Sequence, residues 1–363
     1  MKRIKTALAC LSVWVLLIWM DSGAIEAQEI FKSQLMTPNG ISITVSDDEN
    51  NVNIHSEGIS TTLLTTFAPD GSQLQQTLLG DAPIDFLRFV ESYLAADPDP
   101  LVDRLYVLSP EGDLVVFAAS TLQEIGRFNI HGLTMDTNNV YDVATASSTS
   151  TFALSPFAIF GDIAAFRPND DLNTPAWFVT GLSEGRPFVM RIPMRDFPSD
   201  VMEAQVILMS TLVPPLTLQR ARGVAINAQG VGLTTLPVPD AIRACPDVVI
   251  SFSATAPSLS QSDVLDLAGA AGVPSWGMDA DSSGFYLVTG GVGNADCLQG
   301  GSGRLVFIAD ILTGIDTIVP LSSFPTGRPG DVGVSSFPDN SAYVTFPNLN
   351  TVGRVPGSAL QFP

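Results

Sequence analysis

The sequence has very few of the residues that build metal centres and nucleophilic active sites. It contains 2 histidines and 3 cysteines among 363 residues. It has no Cys-x-x-Cys pair and no His-Glu-x-x-His stretch, so a zinc site is not expected. His55 and His131 stand without a local nucleophile motif, and a Ser-His-Asp triad is therefore poorly supported. We predict no catalytic residues.

Positive charge is also scarce. The chain has 17 lysines and arginines against 37 aspartates and glutamates, for a net charge of −20. Nucleic-acid binding needs clustered cations, so DNA and RNA are not expected as partners. The acidity is spread along the chain and favours solubility. Beyond the amino terminus no apolar run is long enough to span a membrane.

The amino-terminal segment has the pattern of a secretory signal peptide. Residues 1–5 are basic, residues 6–20 are apolar, and small residues at 22–24 or 25–27 provide a cleavage site. The apolar part is shorter than the roughly 20 residues of a bilayer span. We expect residues 1–27 to be removed, residues 28–363 to form one domain, and the protein to be secreted or periplasmic.

Residues 276–321 carry the clearest repeat unit. Asp281-Ser282-Ser283-Gly284 and Thr313-Gly314 form turns between short runs rich in Val, Ile, Phe and Tyr. The four runs are residues 277–280, 285–289, 305–309 and 315–320. This spacing predicts a four-stranded antiparallel meander. Such a unit leaves both faces partly bare, so it needs similar neighbours.

The same pattern recurs along the chain and predicts an all-β, six-bladed β-propeller. The innermost strands align on one hydrophobic position, occupied by Ile41, Phe86, Ile163, Val224, Met278 and Val332. The last two intervals are both 54 residues. Residues 29–35 form a spare strand that would complete the last blade and close the ring, which removes exposed sheet edges.

The repeats resemble the broad secreted β-propeller group of YVTN- and NHL-like repeats. The resemblance is carried by residues 276–279, 284–289 and 304–310, with echoes at 104–107 and 341–345. It implies a fold that serves lactonases, lyases, redox-cofactor enzymes and binding platforms, so the fold alone does not choose a function.

Three aspartates are expected at the mouth of the central channel. Asp85, Asp162 and Asp331 precede innermost strands at equivalent positions, and Arg222 and Trp276 come one residue earlier in their blades. Three converging carboxylates suit Ca²⁺ or an acid–base pair. The interpretation that we favour is that each Asp caps its own turn and stays solvated. Residues 279–284 resemble the start of a calcium loop, but a glycine stands at the twelfth position, so we expect a hairpin turn.

Two long connections are expected on one face. The 131–160 insert, which His131 opens, joins an outermost strand to the next innermost strand, and the 290–303 loop lies between middle strands. Cys245 and Cys297 fall on the same face in adjacent blades, which predicts a disulfide.

The sequence thus predicts a monomeric binding or scaffold protein. This face would engage a protein or a saccharide, and no cofactor is predicted. The alternative is a metal-dependent lactonase- or lyase-like enzyme that uses the channel carboxylates, with Ca²⁺ as the cation.

Overall fold

The computed structural model confirms the all-β class. The residues that it describes are 28–32, 42–46, 51–57, 62–79, 92–137, 140–145, 147–149, 152–168, 174–194, 203–210, 223–237, 247–255, 261–266, 274–289, 303–323, 329–335, 340–349 and 351–360. Their elements are strands and three short 3₁₀ turns. None of the helices in these ranges has the length and apolar character needed to cross a bilayer.

The first two sheets are four-stranded meanders. A separate strand, β1, spans Gln28–Lys32. Sheet 1 contains β2 (Ser42–Val45), β3 (Val52–Glu57), β4 (Thr62–Phe67) and β5 (Gln73–Leu78). Sheet 2 contains β6 (Tyr93–Ala96), β7 (Leu105–Leu108), β8 (Asp113–Phe117) and β9 (Glu124–Asn129). In both sheets the strands are antiparallel and follow chain order.

Sheet 3 has seven strands. Its short outer strands are β10 (Thr134–Asp136), β11 (Val140–Asp142) and β12 (Ser147–Thr149). Its long strands are β13 (Ile159–Phe166), β14 (Ala176–Ser183), β15 (Arg186–Pro193) and β16 (Glu203–Met209). Both β10 and β11 pair in parallel with β16, and β12 pairs antiparallel with β11.

The remaining sheets return to four strands. Sheet 4 contains β17 (Val224–Ile226), β18 (Val231–Pro237), β19 (Asp247–Ser253) and β20 (Gln261–Asp266). Sheet 5 contains β21 (Pro274–Ala280), β22 (Phe285–Thr289), β23 (Arg304–Ile308) and β24 (Thr317–Pro320). Sheet 6 contains β25 (Val332–Val334), β26 (Ala342–Phe346) and β27 (Thr351–Val355), and β1 pairs antiparallel with β27.

The sheets surround a common axis. The innermost strands are β2, β6, β13, β17, β21 and β25; each contacts the next, and β25 contacts β2. Apolar side chains fill the spaces between sheets. Tyr106 and Leu114 of sheet 2, for example, share one buried cluster with Trp177 and Phe188 of sheet 3. We call the side where innermost strands begin the top face and the opposite side the bottom face.

Three predictions about the sheets need correction. First, six blades of four strands each were expected, whereas the described strands form five four-stranded sheets and one sheet of seven strands. The second concerns the 131–160 insert, which is not a plain loop. Its strands extend the outer edge of sheet 3. They are only three residues long. β10 and β11 are held by pairing with β16, and β12 by pairing with β11, so strands this short show no periodicity of their own.

The third correction concerns the innermost strand of sheet 2. It was predicted to begin at Phe86, whereas β6 spans Tyr93–Ala96. Phe86 itself lies outside the described residues. The run before residue 91 is rich in large apolar residues and looks like a better strand. Ala95 and Ala96, however, line the cavity at the channel axis.

Candidate functional site

The innermost strands enclose a narrow polar cavity at the axis. Its volume is about 80 Å³, and its lining includes the carboxylates of Asp97, Asp162, Asp279 and Asp331. Both Asp162 and Asp331 are buried, with 4% and 6% of their surface exposed. At roughly 10–15 Å³ of probe-occupied volume per water, the cavity holds several waters but no sugar ring.

Asp331 joins sheet 6 to sheet 1. Its Oδ2 accepts hydrogen bonds from the Ser42 hydroxyl at 2.7 Å and from the Ile43 amide at 3.0 Å. Its Oδ1 accepts a bond from the Val332 amide at 2.8 Å. Ser42 Oγ in turn accepts from the Leu94 amide of sheet 2 at 3.1 Å. One carboxylate thus anchors a hydrogen-bond chain through three sheets.

Asp162 likewise joins sheet 3 to sheet 4 by hydrogen bonds. Its Oδ2 accepts from the Val224 amide at 3.0 Å, and its Oδ1 accepts from the Ile163 amide at 2.9 Å. In both cases a polar side chain at one innermost strand accepts a hydrogen bond from a backbone N–H of the next innermost strand. These N–H groups point towards the axis, and burial makes such a partner necessary.

Two further side chains repeat the pattern one step deeper in the channel. Asp279 Oδ2 accepts from the Val334 amide at 2.8 Å and links sheet 5 to sheet 6. Thr44 Oγ1 accepts from the Ala96 amide at 3.0 Å and links sheet 1 to sheet 2. We call these five side chains the inter-sheet latch: Ser42, Thr44, Asp162, Asp279 and Asp331.

Burial raises the pKa of two latch carboxyls, Asp162 and Asp331. Desolvation raises the pKa of Asp162 well above its usual value, and the nearby negative charge of Asp331 raises it further. Desolvation likewise raises the pKa of Asp331 from 3.8 to about 6, although its hydrogen bonds from Ile43 and Ser42 oppose the change. Desolvation therefore outweighs the bonds that favour the charged form.

A glycine gives Asp331 its space. A Cβ atom built on Gly277 would lie 1.9 Å from Asp331 Oδ1 and 2.3 Å from Asp331 Cα. Contacts under 3.0 Å do not occur between real atoms of this kind. Sheet 5 can therefore approach sheet 6 at this level only with glycine at position 277.

An ion pair joins sheets 2 and 3 at the bottom of the channel. Arg167 Nε lies 2.5 Å from Asp97 Oδ1, and its Nη2 lies 2.8 Å from Oδ2. The Tyr106 hydroxyl also donates to Asp97. Hydrogen bonding to Asp97 raises the pKa of Arg167, and burial followed by the charge of Asp97 raises the pKa of Tyr106. Asp97 is only 3% exposed, so this bidentate pair compensates a buried charge.

The structure brings together part of the predicted site. Asp162 and Asp331 line the same cavity, whereas Asp85, Arg222, Cys245 and Cys297 lie outside the described residues. Residues 1–27 and 290–302 also lie outside them. Trp276 belongs to β21. The calcium trio therefore stays a prediction, and in the described ranges no group of three His, Cys, Asp or Glu side chains is arranged to hold a metal ion.

The two histidines occupy packed positions. His55 is fully buried in β3. His131 lies in the 3₁₀ turn Ile130–Gly132, and its ring packs edge-on against Phe160 with the centroids 5.3 Å apart. The 279–284 segment forms the expected hairpin turn, since Asp281 Oδ1 accepts bonds from the Ser283 and Gly284 amides at 2.7 and 3.1 Å.

Sequence reasoning missed Asp97, Arg167, Ser42 and Thr44. Two prolines follow Asp97 closely, a pattern that is typical of a surface loop. The available signal was the alternation of polar residues at 42 and 44 on an otherwise apolar strand. On an innermost strand, such residues face the channel and find the neighbouring N–H groups.

Comparison with known proteins identifies the architecture. No protein-family model matches the chain, and no curated protein matches it. Among solved structures, the WD40 repeats of RRP9 match with a TM-score of 0.50 and 10% sequence identity, over 91% of this chain and 97% of that one. The fold is a β-propeller. At this identity the likeness shows the fold alone, and the expected YVTN- or NHL-like grouping remains a prediction.

Proposed function

We propose that this propeller is a binding platform for a protein partner, which docks on its loops rather than inside its channel. This proposal is supported by the small size of the channel cavity and by the hydrogen bonds that its carboxylates already accept. Its cavity of about 80 Å³ is well below the roughly 300–1,000 Å³ of small-molecule sites. Asp162, Asp279 and Asp331 all accept backbone N–H groups of the next strand, so they work as structural acceptors.

We also propose how the ring is closed, where the protein is located and which covalent bond it contains. The pairing of β1 with β27 supports a ring of six sheets that the amino-terminal strand closes. We further propose that the protein is secreted or periplasmic, is a monomer, and carries a Cys245–Cys297 disulfide. Mass mapping of the unreduced protein checks this last feature, and free thiols at both positions would contradict it.

The partner class can be tested directly with residues 28–363. The immobilised chain is screened against a phage-displayed random-peptide library and, in parallel, against a glycan array, with heat-unfolded chain as the control. We expect peptides that bind the folded chain saturably and no glycan that does so. Binding confined to glycans would replace the partner class with a saccharide. Calcium-dependent hydrolysis of a lactone would favour the enzyme alternative.

A further inference from the structure

A run of exposed apolar side chains lies on the top face at the start of sheet 3. Ala153, Pro156, Phe157 and Ile159 all face solvent. Phe157 is 88% exposed and Ile159 is 41% exposed. Single exposed apolar residues are common on soluble proteins, but four within seven positions form a patch.

The run is held in one conformation by hydrogen bonds. The Ser155 amide donates to Ser183 Oγ at 2.8 Å, and the Ser183 hydroxyl donates to the Ala153 carbonyl at 3.1 Å. The Ala158 amide closes a turn onto the Ser155 carbonyl at 3.0 Å, and the Phe160 amide donates to the Pro110 carbonyl at 2.8 Å. These bonds tie the run to sheets 2 and 3.

Buried residues alternate with the exposed ones and fix the run from below. Phe152, Ala158 and Phe160 belong to the apolar cluster between sheets 2 and 3. Phe157 is therefore presented on a rigid turn, so its capture by a partner costs little ordering entropy. Rigid, central aromatic side chains are the usual hot spots of protein interfaces.

Charge around the run decides the kind of partner. Glu184 follows Ser183 in the turn between β14 and β15, and Glu111 follows Pro110; both are exposed. Arg186 is the cation of the same turn. The two described turns beside the run thus carry two carboxylates and one guanidinium, and the chain has a net charge of −20. A second copy of this chain is therefore repelled and a basic partner is attracted.

We infer that residues 153–159 are the docking surface for a partner that presents an apolar pocket or apolar anchor flanked by lysine or arginine. Phe157 is the anchor on this side, and Glu111 and Glu184 form an acidic rim. The inference rests on the proposed binding function and adds to it the surface and the chemistry of the partner.

The test uses the peptides selected from the random library, synthesised with a fluorophore and titrated by fluorescence polarisation. We expect them to combine aromatic or aliphatic residues with Lys or Arg. Their Kd should rise by roughly 30-fold or more for Phe157→Ala, the effect of losing one hot spot. It should also rise with added salt and for Glu184→Gln. Phe157→Ala should fold normally, which its thermal melt checks, because the side chain is exposed.

Leu312→Ala is the matched control. Leu312 is 73% exposed on a bottom-face turn of sheet 5, so its variant should bind as the wild type does. Peptides that bind Phe157→Ala as tightly as wild type would overturn this surface and leave the binding platform standing. A library that yields no binder would overturn both. Dimerisation that Phe157→Ala abolishes in sedimentation would make the occupant a second copy and also overturn the inference.

Discussion

Replacing Asp331 with asparagine tests whether the latch holds the ring together. Asparagine has nearly the same shape but keeps only one acceptor oxygen. Ser42 can rotate its hydroxyl, whereas the amides of Ile43 and Val332 cannot, and they approach different oxygens. One buried N–H therefore loses its acceptor, which costs about 1–3 kcal/mol. We expect that loss of unfolding free energy at pH 5, measured by urea denaturation.

The same substitution should have a smaller effect at pH 8. The pKa of Asp331 is raised from 3.8 to about 6 in the folded protein. Its stabilising contribution is therefore complete below the unfolded value and is lost as the pH rises through about 6. The loss corresponds to about 3 kcal/mol in the wild type and is absent in the asparagine variant. Removing the charge also relieves its repulsion of Asp162, which acts in the same direction.

At pH 5, more than one unit above the unfolded value of 3.8, part of that loss has already occurred, and about one unit remains up to the folded value of about 6. The difference in unfolding free energy between wild type and Asp331→Asn should thus shrink by about 1.4 kcal/mol from pH 5 to pH 8, or change sign. Asp310→Asn is the control, because Asp310 accepts its bond from Leu312 in an exposed turn. It should change stability by no more than about 0.5 kcal/mol at either pH. The reasoning would be refuted if the difference in unfolding free energy between wild type and Asp331→Asn stayed constant or grew as the pH rises.

Other substitutions probe the contacts beside the latch. Gly277→Ala should lower the unfolding free energy by about 1–3 kcal/mol or more in urea titrations, because its Cβ meets Asp331; wild-type stability would show that the sheets can separate there. Arg167→Met should cost about 3–5 kcal/mol, because it leaves Asp97 buried without its cation. A loss below about 1 kcal/mol would mean that water reaches Asp97. Arg127→Met is the control, since Arg127 pairs with Glu124 at the surface.

Repeat spacing was a reliable guide where a sheet is a plain meander. All four strands of sheet 5 were predicted within a few residues, because turn residues such as those at 281–284 separate strands of strong β propensity. Sheet 2 was misread at its innermost strand. β6 has only four residues and ends in two alanines beside prolines, so it resembles a loop, and only the packing around the axis shows otherwise. The short strands of the 131–160 insert depend on pairing with β16 or with one another and have no pattern of their own.

The site was predictable in its position more than in its chemistry. Asp162, within β13, and Asp331, just before β25, do face one cavity, as the alignment of innermost strands implied. What each carboxylate binds depends on the stagger between adjacent strands. Asp331 reaches an amide nearly 290 positions away in the sequence. No local pattern encodes that distance, and the trio of aspartates therefore suggested a metal site or separate turn caps rather than contacts between sheets.

The melting temperature of residues 28–363, measured with excess Ca²⁺ and again with excess EDTA, tests the central claim most directly. If the channel carboxylates join neighbouring sheets through backbone N–H groups, the melting temperature is the same in both conditions. A clear fall in EDTA that Ca²⁺ restores would contradict this claim, because the carboxylates would then be metal ligands and the enzyme alternative would gain support.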